Sequence, residues 1–94
     1  MIKHIVLFKF EDPAVNVPVV RDSLYALVDK IPEIVNMQIG EDFMHSPRSF
    51  DMALLVDCKT KEDLKIYDQH PDHNAARVYI HAHCLESKTV DFEY

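Results

Sequence analysis

Residues 67–73 read YDQHPDH, a tyrosine followed by two histidines three positions apart around a proline and an aspartate. Histidine changes charge near neutral pH, and its neutral ring offers one donor and one acceptor nitrogen. The pair is therefore a candidate for half a metal site, for proton-transfer groups, or for incidental residues at a helix junction. Pro71 decides the local geometry, because it disfavours helical backbone at His70. A helix ending at His70 and a second one opening with Pro71 in its first position are predicted. His73 is then the third residue of the new helix, in the positive field of free backbone N–H groups, which disfavours imidazolium. A neutral His73 suits general-base work near neutral pH; the competing reading is an exposed first-turn histidine. His70 reads as a cap or turn residue.

Two further residues belong with this stretch. Tyr67 shares a helix face with Leu64, and its plainer reading is core packing with the hydroxyl reaching solvent. His4 sits inside an apolar N-terminal run on the side of Val6 and Phe8. It reads either as a buried histidine hydrogen-bonded to backbone or to a tyrosine, or as a polar group placed in an apolar cavity.

Other chemistries find little in the chain. Of the six histidines, His70 and His73 are put out of register by the proline, and His81 and His83 (IHAHC) diverge whether extended or helical. No acidic residue stands at a metalloprotease-type spacing, so no metal site is expected. Gly40 is the only glycine, which excludes a phosphate loop. Ser23, Ser46, Ser49 and Ser87 lack a nucleophile-elbow context, and Cys58 and Cys84 lack an electropositive setting. No cofactor is expected.

These groups must be positioned by a small set of elements. Residues 2–10 (IKHIVLFKF) are β-branched and aromatic over a strand length. After the loop EDPAVN, a helix is predicted with Asn16 as cap and Pro18 in its first turn, carried by Val20, Leu24, Leu27, Val28 and Ile31 and stopped by Pro32. Residues 35–43 alternate, with Val35, Met37, Ile39 and Phe43 on one side, and read as a strand. Residues 50–58 (FDMALLVDC) read as a third strand with an apolar centre. Thr60 with Asp63 marks the next helix start. Residues 71–82 form the segment opened by Pro71, and LESKTVDFEY closes as a strand. The order strand, helix, strand, strand, helix, strand is the split βαβ, ferredoxin-like plan of an α+β fold with an antiparallel four-stranded sheet.

The totals fit one domain over residues 1–94, since a second core would have too few side chains. Apolar residues make up 48% of the chain, a globular composition. Ten basic against 16 acidic residues give a net charge of −6, with no basic run, so neither nucleic acid nor an anionic membrane surface is an expected partner. Two cysteines without C-x-x-C spacing read as thiols of a reducing compartment. The N-terminal run is interrupted by Lys3, His4 and Lys9 and is neither a signal nor a membrane span, so the expected location is the cytoplasm.

The two central strands are apolar on both sides. The first carries Val6, Phe8 and Phe10 on one and Ile5 and Leu7 on the other; the third carries Phe50, Met52, Leu54 and Val56 against Ala53 and Leu55. In this topology both helices cover the same face, and 94 residues supply no second cover. A second copy packed face to face about a two-fold axis is the economical cover, and a homodimer is expected. The alternative, an apolar sheet left open, is an aggregation hazard.

The early strand KHIVLFKF together with YDQHPDH resembles the stress-responsive dimeric α/β-barrel (Dabb) family along the whole chain. The resemblance implies a ferredoxin-like subunit whose sheet packs on its twin to form a barrel, with His4 on the helix side and Ile5 and Leu7 facing the partner. The family is functionally mixed: many bacterial members have no assigned activity, plant members are linked to stress responses, and one branch resembles cofactor-free polyketide cyclases. In that branch a strand histidine, a helix tyrosine and the second histidine of H-P-x-H line the pocket; the matching positions are His4, Tyr67 and His73. The resemblance thus implies a mostly apolar pocket of His4, Val6, Phe8, Tyr67 and His73 for a small apolar or aromatic ligand. Its catalytic version is a lyase or cyclase with His73 as base and Tyr67 and His4 orienting a carbonyl or enol. A cofactor-free monooxygenase is a more distant possibility.

Overall fold

A computed structural model describes residues 1–94. The elements run β1 (Ile2–Phe10), α1 (Pro13–Tyr25), β2 (Asn36–Glu41), β3 (Met52–Cys58), α2 (Lys61–Gln69), α3 (Pro71–His83) and β4 (Cys84–Glu93). The four strands form one antiparallel sheet in the order β2-β3-β1-β4. This is the expected ferredoxin-like plan, with its second helix divided in two at His70.

The register fixes which side chains share a face. His4 stands opposite Val56 of β3 and Asp91 of β4, and Val6 opposite Leu54 and Thr89. Ile5 stands opposite Leu55 and Val90, and Leu7 opposite Ala53 and Lys88. The first set faces the helices, where Phe8, Phe10, Met52, Leu54 and Val56 pack with Val20 and Leu24 of α1, Tyr67 of α2 and Ile80 of α3 in a single core. The second set has no cover: Leu7 is 37%, Val90 54% and Phe92 44% exposed. The sheet is therefore apolar on two faces and covered on one. At one end of the open face, Asp57 accepts from the Tyr94 hydroxyl (2.5 Å) and pairs with Lys3 (3.0 Å), fastening the C-terminus across the sheet.

Several boundaries differ from the sequence reading. α1 begins five residues before Pro18, because Asp12–Pro13 supplies a flanking residue and a first-turn proline earlier in the chain. Asn16 is not the cap. It is buried in the first turns, where its side chain accepts from the Asp12 N–H (2.9 Å) and donates to the Tyr79 hydroxyl (3.0 Å). Pro18 lies inside the helix and deprives the Ala14 carbonyl of its donor. The helix also stops at Tyr25 rather than Pro32, but turns closed by Leu27 N–H to Leu24 O and Ile31 N–H to Leu27 O keep Leu27 and Ile31 on the buried side. β2 is shorter than 35–43, so Phe43 leaves the alternation and is 84% exposed. Phe50 precedes β3 and lies under the Lys9 ammonium, 5.1 Å from the ring centre.

Candidate functional site

The helix break at His70 builds the site. His70 has extended backbone, and its Nδ1 accepts the Asp72 N–H (3.1 Å), so this histidine caps α3 as its place before Pro71 foretold. The Asp72 amide is thereby unavailable to the Asp68 carbonyl at the end of α2. Two side chains of α3 meet that carbonyl instead: His73 through Nδ1 (3.2 Å) and Arg77 through Nη1 (2.7 Å). A carbonyl can only accept, so His73 carries its proton on Nδ1, and Nε2 is left without a protein partner.

His73 is buried, and its ring stacks on that of Tyr67 with centroids 4.4 Å apart and planes 22° from parallel. His4 approaches the same tyrosine edge-on at 6.1 Å. The three residues singled out in the sequence, on β1, α2 and α3, therefore meet around one ring. Burial and then the Arg77 charge push the His73 imidazole below the usual histidine range, and His4 adds in the same direction; the Asp68 carbonyl and carboxylate oppose them. The shift runs in the direction that favours a neutral His73, and its leading cause is desolvation rather than the helix N-terminus.

Tyr67 departs from its expected exposure. Its hydroxyl does not reach solvent: the residue is 1% exposed, and Oη is the only fully buried side-chain polar atom without a hydrogen-bond partner. Burial pushes its phenol far above the ordinary tyrosine range. His4 is half-buried, and its Nδ1 pairs with the Asp91 carboxylate of the neighbouring strand. That carboxylate, like Arg77, was not among the residues the sequence singled out. The four-residue step from His73 to Arg77 along one helix face was the available signal for the arginine; Asp91 had none, lying 87 positions from His4.

A cleft of about 250 Å³ opens beside these groups between sheet and helices. Its apolar wall includes Val6, Phe8, Leu24, Leu54 and Ile80, and its polar residues include His4, His73, Arg77, His81 and Thr89. Val6 and Phe8 stand where the pocket reading put them; Tyr67 backs His73 rather than lining the cleft. A larger concavity, about 330 Å³, lies on the open sheet face among Leu7, Arg48, Phe50 and Ala53, away from the histidines. No three His, Cys, Asp or Glu side chains converge as a metal-binding group. No helix is long and apolar enough to cross a membrane.

An antiparallel sheet with helices on one face, a histidine-bearing cleft beneath them and an uncovered apolar face on the other side defines a ferredoxin-like α+β subunit. The chain belongs to the stress responsive A/B barrel domain (Dabb) family, whose profile matches residues 2–94. Among solved structures it is similar to a dimeric ferredoxin-like protein of unknown function from Thermobifida fusca, 30% identical over 99% of this chain and 90% of that one, with a TM-score of 0.86. A dimeric protein of unknown function from Bacteroides fragilis is 29% identical over 99% of this chain and 95% of its own, TM-score 0.89. A hydroxynitrile lyase from Passiflora edulis shares the fold at 15% identity, covering 97% of this chain and 90% of that one, TM-score 0.82. No protein of curated function matches the chain.

Proposed function

We propose that this protein is a homodimeric small-molecule-binding member of its family, and that the cleft lined by His4, Val6, Phe8 and His73, with Tyr67 behind His73, takes a small apolar or aromatic ligand bearing an oxygen or N–H group. One observation carries the reading: His73 gives its Nδ1 proton to the Asp68 carbonyl and presents an unused Nε2 at a cleft with an apolar wall. Nε2 has no protein donor, and a ligand N–H or O–H in the cleft can supply one in place of solvent. Behind it the buried Tyr67 hydroxyl has no hydrogen-bond partner, which costs the free protein about 1–3 kcal/mol. In this reading His4, fixed by Asp91, is the second polar contact at the cleft.

The homodimer is supported by the open face of Ile5, Leu7, Leu55, Val90 and Phe92 and by the dimeric relatives. Face-to-face packing of two such sheets closes a barrel. We place the protein in a reducing cytoplasm, with neither nucleic acid nor membrane as partner.

A catalytic version is favoured by the depressed proton affinity of His73, since a neutral imidazole with a free nitrogen is a ready general base. It would act, without cofactor, as a lyase or cyclase on a carbonyl-bearing substrate. A thermal-shift screen of aromatic and apolar carbonyl compounds tests the binding reading, with hits expected in the wild type and weakened in His73→Ala. Turnover assays on those hits then separate the versions: no turnover leaves a binding protein, and turnover surviving His73→Ala removes His73 as base. Compounds that bind equally well to both proteins would sink the cleft assignment.

A further inference from the structure

Arg77 is the one full cation at the cleft, and its contacts are directed entirely at the surroundings of His73. Nη1 donates to the Asp68 carbonyl (2.7 Å) and to Asn74 Oδ1 (2.9 Å), and Nη2 donates to the Asp68 carboxylate. One fork thus holds both oxygen groups of the residue whose carbonyl also accepts from His73 Nδ1.

We propose that Arg77 is a positioning residue for His73: its guanidinium ties off the Asp68 carboxylate and shares the Asp68 carbonyl, so that His73 meets a ligand with Nε2 as a free acceptor. The inference deepens the binding reading and rests on it for its functional meaning.

The charges around His73 make the arginine decisive. From α2 it faces Asp68 and the uncharged Tyr67, from β1 His4, and from its own helix Arg77. Asp72, its neighbour in sequence, turns its carboxylate towards His70 at 3.8 Å. Asp68 is therefore the one carboxylate favouring a protonated His73, and it is the one Arg77 engages. Removing the guanidinium deletes a repelling charge and frees an attracting one, and both changes favour imidazolium. Lysine keeps the charge but lacks the planar fork that reaches carbonyl and carboxylate together.

The test is an NMR titration of the His73 ring in ligand-free protein, with Arg77→Met, Arg77→Lys, Asp68→Asn and the Arg77→Met/Asp68→Asn double variant. The ring is expected to titrate below the free-histidine value in the wild type. Arg77→Met should raise its midpoint by about one pH unit, a tenfold change in proton affinity. Arg77→Lys should stay closer to the wild type. Asp68→Asn should lower the midpoint further, and adding it to Arg77→Met should cancel most of the rise. Folding is checked by the amide spectrum; Arg77 has 31% of its side chain exposed, so its loss leaves no buried void. An unchanged midpoint in folded Arg77→Met, or a double variant that titrates like Arg77→Met alone, would overturn the proposal. Because no ligand is present, the outcome is independent of whether the cleft binds one.

Discussion

The imidazole of His73 lies flat against the phenol of Tyr67, centroids 4.4 Å apart, and the tyrosine hydroxyl behind it has neither solvent nor a protein partner. A hydroxyl sealed in this way weakens the free protein. Tyr67→Phe keeps the ring and the stacking and removes only the unpaired group. The variant is expected to be as stable as the wild type or more stable, by up to about 1–3 kcal/mol in denaturant unfolding. Because Tyr67 backs His73 and does not line the cleft, the variant's affinity for a cleft ligand should change little. A Tyr67→Phe protein destabilised by that amount would show that the hydroxyl is satisfied in solution.

The pH dependence of stability follows from His73. Burial and Arg77 hold its folded affinity for protons below that of the unfolded chain. Below the unfolded histidine value, about 6.5, the unfolded state binds more protons than the native one, so stability rises with pH there. The contribution is complete above that value and declines as pH falls from it towards the depressed folded value. His73→Gln, which keeps a polar side chain without titrating in this range, should flatten the corresponding part of the stability curve. Equal slopes in the two proteins would place the acid sensitivity elsewhere.

The open sheet face sets a third expectation. Leu55 stands directly opposite Ile5, and Leu7 opposite Ala53, at the middle of the apolar strip. Leu55→Glu puts a carboxylate there and has little effect on the helix side. In sedimentation equilibrium the wild type is expected as a dimer, and the variant's dissociation constant should rise by about tenfold to a hundredfold. A wild-type monomer at micromolar concentration would remove the homodimer.

The two thiols should differ in reactivity. Cys58 is fully buried in β3, and its thiol is pushed up to about 11, first by burial and then by Asp63, Asp57 and Glu33. Cys84 is half-buried and lines the cleft. A maleimide at mildly alkaline pH should label Cys84 in native protein and Cys58 only after unfolding. A cleft ligand should slow the labelling of Cys84; labelling of Cys58 at the same native rate would contradict its burial.

The amino-acid sequence by itself determined the order of elements, the break before Pro71, His70 as a cap and the two apolar faces of the central strands. Each of these is written in local signals: proline geometry, side-chain alternation, or spacing along one helix. Even there, Pro18 suits a helix start, whereas the helix opens five residues earlier at Pro13 and Asn16 is buried inside it against Tyr79. The surroundings of the site were not local. Tyr67, His73 and His4 come together because three elements pack on one another, and Asp91 reaches His4 because β4 pairs with β1 across nearly the whole chain. A neutral His73 was expected from its place at a helix start, but the burial and the Arg77 charge that lower its proton affinity come from packing. Desolvation and the distances between charges exist only once the chain has closed around them, so they are decided by the tertiary structure alone.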